Sequence, residues 1–399
     1  MSRDPYAPAM ECRRSSFSLP ADVHYFNCAY MGPLPLAAQE AGVAGIRRKA
    51  VPAAIAPADF FAESDQARDL FARIIGAADP GRVAILPSVS YGMATAARNL
   101  SCEPGRTIVI TGEQFPSNVY AWRRRADATG GEIRVVGPPD PPREGHDGRP
   151  RGERWSDAIA EAIDENTAIV AIPQVHWTDG TRFDLERIGA RARAAGAAFI
   201  IDGTQSIGAM PFDLARTGAD AVICAAYKWL LGPYSLAFGW FGPRFDGGVP
   251  IEETWIGREG SDDFQRLVEY RDSYQPGAVR YDVGERSNFI LLPMAIASMS
   301  LILEWGAGAI QVYCEALLQP VLEEAEALGY RSEQRNWRGA HLLGLRMPPG
   351  VDLGALAAEM AARNVMASLR GSALRIAPHV YNDHADAAAL LAALRAAAP

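Results

Sequence analysis

The sequence contains few cysteines: five among 399 residues, at positions 12, 28, 102, 224 and 314. None of them forms a Cys-x-x-Cys pair or another spacing that is typical of metal sites. His379 and His384 have no third ligand candidate nearby, so we predict no metal site. Sparse cysteines without a pattern are typical of proteins in a reducing compartment, and we expect a cytoplasmic protein.

Positive charge is also in short supply, because 39 Lys and Arg face 47 Asp and Glu and leave a net charge of −8. The sequence has no basic stripe, and the short arginine run at 123–125 is typical of a solvated helix face. This charge pattern argues against a nucleic-acid partner. The first 16 residues lack the apolar segment of a signal peptide. The longest charge-free apolar stretch, 288–303, is interrupted by Pro293 and too short to span a membrane, so it predicts a buried helix.

What is abundant is apolar material: 49% of the 399 residues are hydrophobic. This is enough for one large core and a smaller domain. We predict an N-terminal arm over residues 1–24, a large domain over 25–275 and a smaller C-terminal domain over 276–399. The sequence shows no internal repeat.

The segment 197–241 organises the predicted fold. Its apolar runs at 197–201, 220–224 and 236–241 predict three buried strands. Asp202, Gln205 and Lys228 follow the carboxyl ends of the first two strands. Because ligands of open α/β sheets bind at that edge, these three side chains predict a binding site.

The chemistry of these three residues suits an aldehyde cofactor. A lysine amine forms a Schiff base with such a cofactor, and pyridoxal phosphate is the usual one. A buried carboxylate such as Asp202 favours a protonated ring nitrogen, and Gln205 can donate to the phenolic oxygen of the ring. Singly, Asp202 could be a helix cap and Lys228 a surface lysine. Together they predict a pyridoxal-phosphate site in which Lys228 is the catalytic residue.

A second feature predicts a phosphate-binding site. The predicted strand 83–86 leads into a turn at 87–92, and a predicted helix follows from Met93. A strand, a turn and a helix start with hydroxyl residues form an anion cradle, in which we place Val89 and Ser90. Serine as an ordinary N-cap is the alternative.

These patterns resemble the class V aminotransferase family, in which strand–Asp-x-x-Gln is followed about two dozen residues later by Lys-Trp-Leu-x-Gly-Pro. Asp202, Gln205 and the run from Lys228 to Pro233 match, and the similarity extends from about Tyr25 to about Leu394. Relatives include cysteine desulfurases, selenocysteine lyases, kynureninase and isopenicillin-N epimerase-like proteins. The resemblance implies an α/β fold of type I, with a mixed, mostly parallel seven-stranded sheet flanked by helices, a smaller C-terminal α/β domain and a homodimer.

The resemblance also implies roles for individual residues around the cofactor. Ser90 matches the hydroxyl that binds phosphate, and Phe115 matches the aromatic residue that stacks on the cofactor ring. The family's hydroxyl at position 225 is missing, but the Tyr227 phenol can donate to phosphate instead. Ser287 and Arg286 are candidates to contact the phosphate of the partner subunit.

Substrate contacts follow in the same way. Arg375 matches the family's carboxylate-binding arginine, whose fork holds an α-carboxylate through two charged hydrogen bonds. A surface ion pair is the alternative. Asn27 is either a substrate contact or a turn residue. Trp177 and His176 are candidates to line the substrate pocket, with a packed core histidine as the alternative for His176.

The reaction type stays open among three paths that use the same residues. We expect transamination, on the basis of the family alone. A lyase that cleaves C–S or other β bonds and an amino-acid epimerase are the alternatives. A persulfide desulfurase is not expected, because no cysteine lies between Arg338 and Arg375. A non-catalytic cofactor-binding protein is less favoured, since a binder needs no substrate clamp.

Overall fold

The computed structural model describes residues 10–139, 148–371 and 373–398. Residues 1–9 of the predicted arm therefore lie outside the described part of the chain. The strands are β1 (His24–Tyr25), β2 (Val83–Leu86), β3 (Thr107–Thr111), β4 (Glu132–Val136), β5 (Thr167–Pro173), β6 (Ala198–Asp202), β7 (Ala221–Ala225), β8 (Ala237–Phe241), β9 (Leu343–Arg346), β10 (Val365–Met366), β11 (Ser368–Arg370) and β12 (Ala373–Ile376).

The helices surround these strands. They are α1 (Leu36–Lys49), α2 (Asp59–Ile75), α3 (Val89–Asn99), α4 (Tyr120–Thr129), α5 (Arg151–Glu161), α6 (Leu185–Ala194), α7 (Leu214–Thr217), α8 (Leu291–Trp305), α9 (Ala307–Ala327), α10 (Leu353–Ala362) and α11 (His384–Ala396).

A seven-stranded sheet in the order β2-β8-β7-β6-β5-β3-β4 forms the centre of the molecule. The five strands from β7 to β4 run parallel, and β8 pairs antiparallel with both β7 and β2. Strands β2, β3, β6 and β7 are buried along their whole length, as expected for a sheet that helices cover on both faces. The predicted mixed, mostly parallel seven-stranded sheet is confirmed.

The parallel strands end in register at one edge of this sheet. Pro173, at the end of β5, pairs with Asp202, at the end of β6, and Asp202 pairs with Ile223 in β7. The segments that follow these strands therefore emerge side by side. This edge is where sequence reasoning places the ligand site.

A separate antiparallel sheet, β11-β12-β9, lies in the C-terminal part of the chain. One of its faces packs its leucines and isoleucines into a core with α9, α10 and α11. The opposite face, here called the polar face, carries Ser368, Arg370 and Arg375, because strand residues two positions apart share a face. Backbone and side-chain atoms of Asp179 approach this face at Gly344, where an added Cβ would lie 2.8 Å from the Asp179 Cβ. The predicted boundaries of the arm and the two domains stay a prediction.

Some elements differ from the sequence-based expectations. Helix α3 begins at Val89 rather than at Met93, because the Ser88 hydroxyl caps it by accepting from the Tyr91 N–H at 3.2 Å. The edge strand β4 and the short strand β11 were not predicted, since both carry polar residues. The predicted buried helix at 288–303 is α8, and it meets α9 at an angle of 72°. Among the described residues, no single helix is long and apolar enough to cross a membrane.

Candidate active site

A cavity of about 360 Å³ opens at the carboxyl edge of the large sheet. It lies at the ends of β5, β6 and β7 and at the start of α3. Trp177 and every residue predicted to bind the cofactor line it: Val89, Ser90, Phe115, Asp202, Gln205, Tyr227 and Lys228. The cavity therefore gathers residues that the sequence spreads over more than 130 positions.

Lys228 follows β7 and is only 5% exposed. Its Nζ lies 5.3 Å from the centre of the Phe115 ring and 5.6 Å from that of Tyr227. No carboxylate of the described residues lies within 4.0 Å of this nitrogen. Burial lowers the pKa of Lys228 to about 8; the charge of Asp202 opposes this shift, and that of Arg375 adds to it. A substantial fraction of the Lys228 side chains therefore carries a neutral amine near physiological pH, and a nucleophile must be neutral.

Asp202 ends β6 and is 6% exposed. Its Oδ1 accepts a hydrogen bond from the Thr204 N–H at 3.0 Å, and no basic side chain of the described residues forms an ion pair with it. Burial raises the pKa of Asp202, whereas the hydrogen bonds from Thr204 and the charge of Lys228 lower it. A buried carboxylate without a cation suits a ligand that brings its own N–H⁺, and the protonated ring of pyridoxal phosphate fits this requirement.

A buried hydrogen-bond network holds Gln205. Its Oε1 accepts from the Trp229 indole at 2.9 Å, and its Nε2 donates to the Ala29 carbonyl at 3.2 Å, which leaves a second Nε2 hydrogen for the cavity. Behind it, His341 Nε2 lies 2.7 Å from the Gln205 carbonyl, and His341 Nδ1 lies 2.8 Å from Gln311 Nε2. Burial lowers the pKa of His341 to about 4, so the neutral ring donates through Nε2 and accepts through Nδ1.

The start of α3 forms an anion cradle. Its first N–H groups have no partner within the helix, and the helix dipole favours a negative charge beside them. Ser88 Oγ lies 2.9 Å from Ser90 Oγ, and both hydroxyls line the cavity. Thr204 Oγ1 accepts from the Ala225 N–H at 3.4 Å, so a hydroxyl lies beside the position where the family's hydroxyl is missing.

Sequence reasoning missed several residues of this site. Ser88, Ser117, Thr204 and Ser235 also line the cavity. Ser88 had a usable signal, since a serine before an amphipathic segment is a common N-cap. His341 and Gln311 had no signal, because they reach Gln205 only through the packing of distant segments.

Arg375 lies on the polar face of the small sheet and is 2% exposed. It donates to the Trp177 carbonyl at 2.9 Å and to Asn27 Oδ1 at 3.5 Å, while its Nε has no partner within the described chain. Burial, followed by the charge of Arg370, lowers the pKa of Arg375 to about 10. A surface ion pair does not describe this arginine. The structure brings Arg375, Asn27 and Trp177 together; Trp177 lines the cavity of Lys228, whereas Arg375 and Asn27 lie behind it.

His176 does not face the cavity. It is fully buried, with Nδ1 at 2.7 Å from Thr178 Oγ1, Nε2 at 3.2 Å from the Gly112 carbonyl, and its ring against Trp155. Burial lowers the pKa of His176 to about 4. His176 is therefore a packed core histidine, and it is not in a position to contact a substrate in the cavity.

Arg286 also differs from its predicted role. It is 2% exposed and donates to Asp282 Oδ2 at 2.5 Å, inside a buried ion cluster with Arg68. The charge of Arg286 is therefore neutralised by Asp282 within its own subunit, and it does not contact the phosphate of a partner subunit as predicted. Ser287 Oγ donates to the Phe60 carbonyl at 2.5 Å and lines a second cavity. The described residues contain no group of three or more His, Cys, Asp or Glu side chains that could hold a metal ion.

Comparisons with known proteins show which family this chain is similar to. The family model "Aminotransferase class-V" matches residues 56–238. The chain is 27% identical to the uncharacterized aminotransferase YcbU of Bacillus subtilis (strain 168), over 80% of this chain and 80% of that protein. It is 25% identical to the isopenicillin N epimerase of Streptomyces clavuligerus, over 86% of this chain and 85% of that protein.

A solved structure shares the fold. The cysteine desulfurase CsdA from Escherichia coli superposes with a TM-score of 0.77 at 18% identity, over 96% of this chain and 97% of that chain. At this identity the likeness shows the fold alone. With the match to this family model and the cavity built around Asp202, Gln205 and Lys228, the chain is a pyridoxal-phosphate-dependent enzyme that is similar to the class V aminotransferase family.

Proposed function

We propose that this protein transfers the amino group of an amino acid through pyridoxal phosphate attached to Lys228. The observation that carries the proposal is the pairing, in one cavity, of a buried lysine with a buried carboxylate that lacks a protein cation. Asp202 would face the ring nitrogen, the start of α3 would hold the phosphate and Phe115 would cover the ring. When bound, the cofactor supplies an electron sink for a bond broken at the substrate's α carbon.

The protein's own residues would perform the remaining steps. Arg375 would hold the α-carboxylate, with Asn27 and the Trp177 carbonyl fixing the position of its guanidinium. The Lys228 amine, once released by the incoming amino group, would take the α-proton as a base. Its lowered pKa suits this role, because a base works best with a pKa near the working pH. Gln205 and Tyr227 would donate to the cofactor's oxygens.

Attachment at Lys228 can be tested directly, because the sequence contains only one other lysine, Lys49. Borohydride reduction of the purified holoenzyme should add the cofactor's mass to the peptide that contains Lys228. Lys49 is exposed at the end of α1 and serves as the internal control. A label on Lys49 alone, or no label after incubation with the cofactor, would overturn the proposal.

Lyase and epimerase activities remain the alternative reactions, and product analysis separates them from transamination. Transamination releases one equivalent of oxo acid per active site and no ammonia in the absence of an acceptor. A lyase releases ammonia catalytically, and an epimerase produces the opposite enantiomer. A persulfide relay is disfavoured, because no cysteine lies between Arg338 and Arg375. Four of the five cysteines are buried, and the exposed one, Cys12, belongs to the N-terminal segment.

A homodimer is part of the proposal. Large apolar side chains are exposed on α1 and in the segment between β8 and α8, among them Val43, Ile46, Val268 and Tyr270, the last at 96%. Exposed apolar surface of this kind marks an association site. Light scattering after gel filtration should give twice the chain mass of 43.0 kDa. A single-chain mass at micromolar concentration would refute it.

A further inference from the structure

The polar face of the small sheet carries three arginines: Arg346, which lies opposite Ala373 and is paired with Asp179, and the two neighbours Arg370 and Arg375. In the antiparallel pair of β11 and β12, Ser368 lies opposite Arg375 and Arg370 lies opposite Ala373. Arg370 and Arg375 are therefore diagonal neighbours on one face, within reach of each other for long side chains. Burial lowers the pKa of Arg375, and the positive charge of Arg370 lowers it further.

Among the residues that the structure describes, neither Arg370 nor Arg375 has an acidic partner. Arg375 donates to the Trp177 carbonyl and to the Asn27 amide oxygen, and Arg370 donates to the Leu369 carbonyl at 2.8 Å. Within the described part of the chain, no carboxylate lies within 4.0 Å of either guanidinium. Two positive charges on one small surface are thus left without a counter-charge, and Arg375 is buried as well. An unpaired buried charge is costly, so a ligand that neutralises it is favoured.

The acidic side chain on this face is already paired. Asp179 lies 2.5 Å from Arg151 NH1 and 3.8 Å from Arg346 NH2. Burial raises the pKa of Asp179, but the charge of Arg151 and further contacts outweigh burial and lower the pKa below its usual value. Asp179 is therefore the charged partner of Arg151 and Arg346, and it does not neutralise Arg370 or Arg375.

Trp177 connects Arg370 to the active-site cavity. The Arg370 guanidinium carbon lies 5.9 Å from the centre of the Trp177 ring, within cation–π range. The Trp177 indole donates to the Glu113 carbonyl at 2.7 Å, and its ring lines the same cavity as Lys228. Arg370 thus lies beside the wall against which a substrate side chain would rest.

We propose that Arg370 binds a second anionic group and that the substrate is an amino acid with a carboxylate on its side chain. The inference rests on the proposed function, because Arg375 must take the α-carboxylate. One carboxylate leaves one of the two guanidinium groups without a counter-charge, whereas a dicarboxylic amino acid supplies one charge to each. Arginine suits this task, since its planar fork matches a carboxylate.

Ligands without an amino group test binding without turnover. Calorimetry on the holoenzyme should find succinate bound about 10-fold more tightly than butyrate, which corresponds to about 1.4 kcal/mol. Arg370→Gln should bring this ratio close to one. The matched control is Arg395→Gln, an exposed arginine of α11 paired with Glu324, and it should keep the ratio.

Turnover gives a second readout. The ratio of kcat/KM for aspartate over asparagine, or for glutamate over glutamine, should exceed 10, which corresponds to about 1.4 kcal/mol. In Arg370→Gln the ratio should fall at least 5-fold, which corresponds to about 1 kcal/mol. Equal binding of succinate and butyrate, or a preference that survives Arg370→Gln, would overturn this inference. If borohydride labels Lys228 all the same, only this inference fails. If Lys228 takes no label, the proposed function itself fails.

Discussion

At the scale of single residues, Lys228 shows how burial tunes a nucleophile. Removing a lysine from water disfavours its charged form, and for Lys228 this outweighs the nearby charge of Asp202. An ordinary lysine is about 0.4% neutral at pH 8, whereas an amine with a pKa of about 8 is half neutral there. The position of this residue thus supplies reactivity without a neighbouring base.

The titration of Lys228 can be measured without cofactor. Labelling the apoprotein with an acylating reagent across a pH series should give Lys228 a midpoint near 8, because only the neutral amine reacts. Mass spectrometry of the Lys228 peptide measures it. In urea-unfolded protein the same residue should titrate near the ordinary lysine value of about 10.4. A folded-state midpoint above 9.5 would contradict the argument.

Asp202→Asn changes the same titration in a defined direction. The carboxylate is the main group that raises the pKa of Lys228 against burial, so its loss should move the labelling midpoint further below 8. In the holoenzyme the variant should lose at least 100-fold in turnover, on the order of 3 kcal/mol, because the ring nitrogen loses its counter-charge. An unchanged midpoint would show that Asp202 and Lys228 do not interact.

At the scale of elements, α3 depends on a close approach to the large sheet. Gly92 faces β2 and β7, and an added Cβ would lie 2.8 Å from both Ile223 Cγ2 and Leu86 Cδ1. Only glycine allows the helix to lie this near. The start of α3 is thereby held at the cavity, where its N–H groups can meet a phosphate.

Gly92→Ala should therefore act on both stability and cofactor binding. Overpacking should cost about 1–3 kcal/mol, partly offset by the better helix propensity of alanine, and should push the helix start away from the cavity. Urea unfolding and cofactor titration measure the two effects. Gly308→Ala in α9, where the nearest atom lies 4.0 Å away, is the control and should be neutral or stabilising.

The elements also differ in how far the sequence predicts them. The buried strand β2 was placed with the observed bounds, because a continuous apolar run carries a strong signal. The start of α3 was missed by four residues, since a capping serine overrides the apparent turn. Strand β11, which carries Arg370, has too few apolar residues to be recognised, and only pairing with β12 makes it a strand.

At the scale of the whole molecule, a buried ion cluster ties distant segments together. Arg68 of α2 and Arg286 both bind Asp282, whose Oδ1 also accepts from the Ile85 N–H of β2 at 2.8 Å. Arg68 further donates to the Val83 carbonyl. The cluster joins α2, the central sheet and the segment that leads into α8.

Removing the shared acid should be strongly destabilising. Asp282→Asn leaves the buried Arg286 without a counter-charge and leaves Arg68 only the exposed Asp65 at 3.7 Å, so we expect a loss of about 3–5 kcal/mol in the free energy of unfolding. The control Asp246→Asn breaks the more exposed pair with Arg82 and should cost about 1 kcal/mol or less. Urea unfolding measures the loss in the free energy of unfolding for both variants. Equal losses would mean that the buried ion cluster stabilises the fold no more than the exposed pair does.

The sequence by itself determined the cofactor end of the site. Asp202, Gln205 and Lys228 follow buried strands, and the common edge of a parallel sheet brings such residues together whatever the rest of the chain does. Only the tertiary structure decided which residues of the proposed substrate end come together. Arg375, Arg370 and Trp177 meet because the polar face of the small sheet packs against the segment that follows β5. His176, in the same segment, points into the core because its ring packs against Trp155 and Phe183. Contacts between surfaces that lie far apart in the chain depend on packing, which no local pattern records.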